Sequence, residues 1–169
     1  MKYGIIIIVM DMELLSVFDE EENLLNSKII RGNEPKNNEF VMIVYIFIIN
    51  DDNKILLEQN AKTGKWVVPG GHVISGNPIE DIKRECMEEL SISICNNIIY
   101  IDTLSNNNRF FKLYLVKENI DVNNIKLQKE EVIDAKFFSL SEVDMLINNK
   151  TLRENNVEFI EKLKKYLHF

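Results

Sequence analysis

Three glutamates lie close together in the segment that follows two consecutive glycines, Gly70 and Gly71. Glu85, Glu88 and Glu89 are spaced i, i+3 and i+4, so in a helix they project from one side. Like charges at this spacing repel one another by roughly 0.2–0.5 kcal/mol per exposed pair. A hard divalent cation removes that repulsion because it takes carboxylate oxygens as ligands. The spacing therefore predicts an acidic helix face beside a glycine turn.

The residues around the glutamates predict where this helix begins and which side it buries. Asn77 is a favoured N-cap, Pro78 suits the first helical position, and Glu80 stands where a capping box has its acid. Apolar residues then recur on one stripe, at Ile79, Ile82, Cys86 and Leu90. The acidic side chains lie off this stripe. Taken alone, such an acidic face is most often only a solvated helix surface.

Together, the glycines and the acidic helix resemble the Nudix box, G-x5-E-x7-R-E-U-x-E-E-x-G-U, where U is a bulky aliphatic residue. Gly71 takes the place of the first glycine, and the second half of the box is matched by Arg84, Glu85, Glu88, Glu89 and Ile92. The step from Gly71 to Arg84 is thirteen residues instead of fourteen. Asn77 stands where the box has a loop acid, and Ser91 replaces the late glycine.

The resemblance implies an α/β fold of the Nudix type, an α/β/α sandwich with a mixed β-sheet. It also implies hydrolysis of a diphosphate linkage in a small molecule, with Mg²⁺ or Mn²⁺ as cofactor. The implied metal ligands are Glu85, Glu88 and Glu89, together with the backbone carbonyl of Gly70. Such a cation neutralises phosphate oxygens and lowers the pKa of bound water.

The resemblance also assigns two residues to catalysis. We expect Glu85 to act as the base for water, and Arg84, whose usual partner is the missing loop acid, to turn to Glu80 or Glu88.

Three further residues are candidates for substrate contacts, namely Gly71, Trp66 and Glu131. Gly71 lacks a Cβ, so its backbone can bend sharply and approach a bound group. Trp66, the only tryptophan, is more often a core residue beneath the glycine turn. Glu131, like its neighbour Glu130, is more often a surface charge, although late-loop glutamates reach the site in parts of the Nudix family.

The rest of the sequence predicts a single domain over residues 1–169, with its core in residues 40–169. Alternating apolar residues and turns predict strands over 14–18, 24–30, 41–49, 54–58, 65–68, 98–104, 109–116 and 132–138. The first two form an N-terminal hairpin within residues 13–32, and 41–49 pairs with 54–58 as a second hairpin. Ser139 and Thr151 each begin a capping-box pattern that opens a helix.

The N-terminal hairpin resembles the Nudix subgroup named after isopentenyl-diphosphate isomerase. Before it, residues 1–11 are either an upstream extension, with Met12 as the native start, or a short strand.

Composition limits the partners and the compartment. The formal net charge of −7 over 169 residues argues against a nucleic-acid polymer as partner, because phosphate contacts need clustered Lys and Arg. The apolar runs are too short to cross a bilayer, so no membrane is expected. The two cysteines have neither a disulfide framework nor zinc spacing, which fits the cytoplasm. The sequence leaves a homodimer open.

Two other functions compete with a metal-dependent hydrolase. Isopentenyl-diphosphate isomerase needs a cysteine near the strand before the glycine turn and several histidine ligands. It is disfavoured because no cysteine precedes Cys86 and the only histidines are His72 and His168. A non-catalytic Nudix module that binds a nucleotide is favoured by the shortened box and disfavoured by the retained glutamates.

Overall fold

A computed structural model describes residues 12–168 of the chain, so the two alternatives for residues 1–11 lie outside the described part. Nine strands form one mixed sheet: β1 (Leu14–Phe18), β2 (Leu24–Ile30), β3 (Phe40–Ile49), β4 (Ile55–Asn60), β5 (Trp66–Val67), β6 (Gly70–His72), β7 (Ile99–Asn106), β8 (Arg109–Lys117) and β9 (Val132–Phe138). The helices are α1 (Pro78–Leu90), α2 (Leu140–Asn148) and α3 (Glu154–Tyr166), with a 3-10 turn at Val122–Asn124.

Strand β3 is the centre of the sheet, and its two edges are used differently. Strand β8 runs parallel along one edge over the whole length of β3. The other edge is shared in turn by β1, β6 and β4. The predicted hairpin of β3 and β4 is confirmed at its turn, but the two strands pair only at Ile49 with Ile55. The glycine strand β6 takes the edge that β4 would need, and β4 pairs with β5 and β9 instead.

The continuous apolar run of β3 is explained by burial on both faces. Met42, Val44, Ile46 and Ile48 pack in the cluster that contains the apolar stripe of α1. The alternate residues Ile43, Tyr45, Phe47 and Ile49 pack in a second cluster with α2 and α3. The predicted α/β/α sandwich with a mixed sheet is confirmed. In the described part of the chain, no helix is long and apolar enough to cross a membrane.

The two later helices begin differently from each other. Ser139 forms the predicted capping box of α2, because its side chain accepts from the Glu142 N–H while the Glu142 carboxylate accepts from the Ser139 N–H. The capping box predicted at Thr151 is wrong, since α3 begins at Glu154 with no side-chain cap. Both the N–H and the hydroxyl of Thr151 donate to the Leu146 carbonyl, at 2.9 and 3.2 Å, so Thr151 closes α2.

Helix α1 ends at Ser91, which adopts the left-handed conformation with φ of 55°. The Ser91 N–H donates to the Met87 carbonyl and the Ile92 N–H donates to the Cys86 carbonyl, at 3.1 and 3.0 Å. This is the hydrogen-bond pattern that glycine usually completes at a helix end. The late box position therefore keeps its role in the fold although serine occupies it.

Ser91→Gly is expected to stabilise the protein by about 0.5–1 kcal/mol, because a left-handed backbone is strained for any residue with a Cβ. Loss of the 3.3 Å bond from the Ser91 hydroxyl to the Lys126 carbonyl offsets part of the gain. Urea unfolding of both proteins measures the difference. A less stable glycine variant would show that this side-chain bond outweighs the backbone strain.

Candidate active site

The two glycines lie in a short strand and not at a bend. Gly70 and Gly71 belong to β6, and neither is among the glycines with positive φ, so the expected sharp bend is wrong. They are needed for close approach. A Cβ on Gly70 would lie 2.1 Å from the Val44 carbonyl oxygen, and one on Gly71 would lie 2.1 Å from the Glu85 carboxyl. The strand thus leaves room for Glu85 directly against its backbone.

The loop between β6 and α1 is held by Asp81, a residue that the sequence pattern missed. Asp81 is 1% exposed. Its Oδ2 accepts from the Ile74 N–H, the Ser75 N–H and the Ser75 hydroxyl, at 3.1, 2.9 and 2.7 Å. Its Oδ1 accepts from Arg84 Nε at 3.1 Å. Asp81 therefore supplies a carboxylate to both the loop and the arginine, from the first turns of the helix. The i, i+3 spacing to Arg84 was the available sequence signal.

Arg84 connects the acidic residues of α1. Besides Asp81, its guanidinium donates to Glu85 Oε1 at 2.8 Å and to Glu88 Oε2 at 2.7 Å. It also donates to the His72 carbonyl oxygen at 3.2 Å, which ties the helix to β6. The expected partner Glu88 is found, whereas the contacts of Arg84 do not include Glu80, which lies exposed near the start of the helix.

The three box glutamates occupy different environments. Glu85 is 9% exposed, and this burial raises the pKa of its carboxyl, although Arg84 opposes the shift. Burial, followed by the negative charge of Glu85, raises the pKa of Glu89 to about 8. The Glu88 side chain is 51% exposed and points its charge to Arg84 and solvent. The inner part of the acidic face is consequently formed by Glu85 and Glu89.

A fourth carboxyl, missed by the sequence reading, lies against Glu89. Glu58 of β4 is 4% exposed, and its carboxyl lies close to that of Glu89. Burial and the charge of Glu89 raise the pKa of Glu58 well above its usual value. Glu58 lies two residues after Leu56 on β4, so both side chains project from the same face of the strand. Leu56 belongs to the core cluster that contains the apolar stripe of α1. A carboxylate on the buried side of a strand was the signal in the sequence.

The donor atoms at this site suit a hard divalent cation. Within residues 12–168, no three His, Cys, Asp or Glu side chains already converge around one point as a metal site. However, one oxygen of Glu58 and one of Glu89 are buried without any hydrogen-bond partner. Buried carboxylate oxygens without donors are costly, and Mg²⁺ and Mn²⁺ prefer such ligands. The residues present therefore fit the cation that the sequence suggested.

The family model described as the NUDIX domain matches residues 39–163, well over half of the chain. The chain belongs to the Nudix family. A Nudix hydrolase of Clostridium acetobutylicum is 26% identical over 159 residues, covering 83% of this chain and 77% of the relative. A Nudix hydrolase of Listeria monocytogenes is 24% identical over 143 residues, covering 80% and 85%. Both relatives are named as uncharacterised, and the predicted class, a Nudix pyrophosphohydrolase, is confirmed at the level of the family.

Solved structures show the same fold at low sequence identity. The DR0079 protein of Deinococcus radiodurans has a TM-score of 0.69 at 15% identity, covering 88% of this chain and 96% of that one. The NUDIX domain of Shewanella oneidensis NrtR, solved with ADP ribose, has a TM-score of 0.65 at 19% identity, covering 80% and 94%. The isopentenyl-diphosphate isomerase subgroup stays a prediction.

The remaining site candidates of this Nudix protein lie in different places. Glu131 is near the acidic face, since its charge contributes to the raised pKa of Glu89, and Lys62 lies 3.5 Å from its carboxylate. Trp66 packs edge-on against Phe138, with ring centroids 4.8 Å apart, in the cluster on the α2 and α3 side. The structure thus brings Glu131 to the glutamates but does not bring Trp66 there.

The N-terminal hairpin braces the loop that precedes the Nudix helix. The Ser16 N–H donates to the Val73 carbonyl at 2.9 Å, and the Lys28 ammonium donates to the Ile74 carbonyl. Gly76 has φ of 90°, and a Cβ there would lie 2.6 Å from the Leu24 side chain. The predicted hairpin is confirmed, and its contacts hold the loop that leads into α1.

Asn77→Asp is expected to leave turnover within about twofold of the parent. Asn77 is the N-cap of α1, accepting from the Ile79 and Glu80 N–H groups at 3.0 and 3.4 Å, and Asp caps about as well. Arg84 already has Asp81 as its partner, so a carboxylate at position 77 is not needed to hold the arginine. Steady-state kinetics on the best substrate provide the test. A tenfold gain would mean that the missing loop acid limits activity.

Proposed function

We propose that this Nudix protein hydrolyses a pyrophosphate linkage in a nucleoside-diphosphate-linked or related small molecule, with Mg²⁺ or Mn²⁺ as cofactor. The observation that carries the proposal is a pair of buried carboxylate oxygens, on Glu58 and Glu89, that have no hydrogen-bond partner within residues 12–168. A merely solvated helix face would direct its carboxylates into water. Here one oxygen of Glu89 on the helix and one of Glu58 on β4 are buried, where only a cation or a proton satisfies them.

The acidic face supplies the proposed ligands. Glu85, Glu88 and Glu89 would hold the cation, with the carbonyl of Gly70 as a further oxygen ligand. When bound, the cation neutralises phosphate oxygens and lowers the pKa of water at the site. Gly71 leaves space for Glu85 beside the backbone, and substrate oxygens would approach along the same strand.

Glu85 is the proposed base, because it lies buried against β6 and burial raises the pKa of its carboxyl. Arg84 holds Glu85 and Glu88 by hydrogen bonds of 2.8 and 2.7 Å. We therefore assign Arg84 as a positioning residue that acts through these two carboxylates. Glu131 is retained as a substrate or metal contact on the rim, and the proposal does not require Trp66.

The compartment, the class of partner and the extent of the domain belong to the same proposal. Cys86 and Cys95 are both free, which agrees with a reducing cytoplasm. The net charge of −7 favours a small diphosphate over a nucleic-acid polymer. We also propose that residues 1–169 form one domain. The mass of the protein in solution distinguishes a monomer from a homodimer.

The second candidate is a Nudix module that binds a nucleotide without cleaving it. It is favoured by Arg84, which already satisfies Glu85 and Glu88 and so competes with a cation for them. The two candidates differ in their response to metal. The hydrolase needs a divalent cation for turnover, whereas the binding module retains nucleotide affinity and shows no turnover with any metal.

A hydrolysis screen tests the proposal. The purified chain is incubated with nucleotide sugars, dinucleotides, nucleoside triphosphates and prenyl diphosphates in Mg²⁺, Mn²⁺ or EDTA, and products are resolved by chromatography. We expect cleavage of at least one diphosphate class with metal and none in EDTA. The Glu80→Gln variant, which removes an exposed charge from the same helix, should behave like the parent. Binding without cleavage across all classes would favour the second candidate.

A further inference from the structure

Glu58 lies outside the Nudix box, on β4, and its carboxyl lies close to that of Glu89 on α1. Its neighbours in the sheet are Val67 of β5 and Ala135 of β9, so the carboxyl projects from an interior strand. Leu56, two residues earlier on the same face, belongs to the core cluster that also contains the apolar stripe of α1. A carboxyl in this position has almost no access to solvent, and its exposure is 4%.

The contacts of Glu58 leave its function in the fold unexplained. The carboxyl of Glu58 lies close to that of Glu89, a second acid. Oε2 of Glu58 and Oε2 of Glu89 are each buried, and neither has a hydrogen-bond partner in the described part of the chain. Two facing acids with one unsatisfied oxygen apiece would destabilise the core unless a proton or a cation is shared between them.

We propose that Glu58 is a ligand of the divalent cation at this site, paired with Glu89 on the inner side of the acidic face. The inference rests on the proposed function, because it adds a residue from β4 to the metal site of that hydrolase. The cation would then be held from two elements, the helix and the sheet. Binding of the cation would therefore link α1 to β4 and also activate the site.

Direct measurement of metal binding separates this role from a structural one. Mn²⁺ is titrated into the wild-type chain, Glu58→Gln and the control Glu80→Gln, and free Mn²⁺ is followed by electron paramagnetic resonance. We expect Glu58→Gln to weaken Mn²⁺ affinity about tenfold or more, as loss of a ligand or its close support does. Glu80 is exposed on the same helix, so its variant should bind as the wild type does.

Thermal melts in EDTA and in Mg²⁺ give the second readout. Glutamine removes a buried acid but keeps its size, so the metal-free variant should melt at the same or a higher temperature than the wild type. The rise in melting temperature on adding Mg²⁺ should be smaller for the variant. A purely structural Glu58 would reverse this pattern, with a less stable metal-free protein and an unchanged response to Mg²⁺.

The outcomes distinguish this inference from the function on which it rests. If the wild type hydrolyses a diphosphate and Glu58→Gln binds Mn²⁺ unchanged, Glu58 is no ligand and the hydrolase proposal stands. If the wild type binds no Mn²⁺, the metal-dependent function itself is overturned. Should Glu58→Gln and the apolar variant Glu58→Leu both fail to fold, Glu58 is a structural core residue and the inference is overturned.

Discussion

Replacing Glu89 with glutamine is expected to lower metal-dependent turnover by more than about 100-fold while the protein stays folded. Glutamine has nearly the same size and helix propensity, so α1 should persist. The change removes one of the inner carboxylates, and with it a charged ligand at the position proposed for the cation. Turnover is measured on the best substrate of the screen in saturating Mg²⁺, with Glu80→Gln as the matched control.

The same variant should make the metal-free protein more stable, by a margin that grows with pH. The pKa of Glu89 is raised to about 8 in the folded protein, so folding favours its protonated form. Stability from this group is present at low pH and is lost as pH rises through about 8. Glutamine cannot ionise and avoids that loss. We therefore expect the melting temperature of the variant in EDTA to exceed that of the wild type by more at pH 9 than at pH 6.

Two results would count against this account of Glu89. Unchanged turnover would show that the acidic face takes no part in hydrolysis. A variant that is less stable than the wild type at pH 9 without metal would show that the buried carboxylate is not repelled by its neighbours.

Asp81→Ala is expected to destabilise the protein by about 3 kcal/mol, the cost of breaking a buried, hydrogen-bonded charge pair. The variant leaves the Ile74 and Ser75 N–H groups without their acceptor and removes one partner of Arg84. For a chain of this size, the melting temperature should fall by roughly 6–12 °C. Glu80→Ala, exposed on the same helix, should change stability by less than about 0.5 kcal/mol.

Activity provides the second readout for Asp81. Because Asp81 orients Arg84, and Arg84 holds Glu85 and Glu88, turnover below the melting temperature should also fall. Ser75→Ala removes only one hydroxyl donor and should have a smaller effect on both quantities. A melting temperature unchanged in Asp81→Ala would show that the loop and Arg84 are held by other contacts.

Helix α1 was predictable because its determinants are local. Asn77 caps it, Pro78 occupies its first turn and Ile82, Cys86 and Leu90 form its buried stripe, as the sequence indicated. Spacing alone also placed the glutamates on one helix. Eight of the nine strands were located for the same reason, since apolar runs between turns are a short-range pattern, but β6 at the two glycines was not.

The interior of the site depends on contacts between distant segments and was not predictable in this way. Glu58 comes close to Glu89 from β4, a strand that pairs with β3 only at Ile49 and Ile55 and otherwise pairs with β5 and β9. The role of Asp81 depends on a loop that the N-terminal hairpin also braces. Periodicity identifies which face is buried, but it does not tell which strand will occupy each edge of the sheet.

Titration of Mn²⁺ into the metal-free chain tests the central claim most directly. The account predicts saturable binding in or below the millimolar range, with affinity reduced in both Glu85→Gln and Glu89→Gln and unchanged in Glu80→Gln. Each binding curve is paired with turnover measured at the same Mn²⁺ concentrations, and the two should rise together. Absence of saturable binding in the wild type, or equal affinity in all four proteins, would contradict the claim that this acidic helix face is a catalytic metal site.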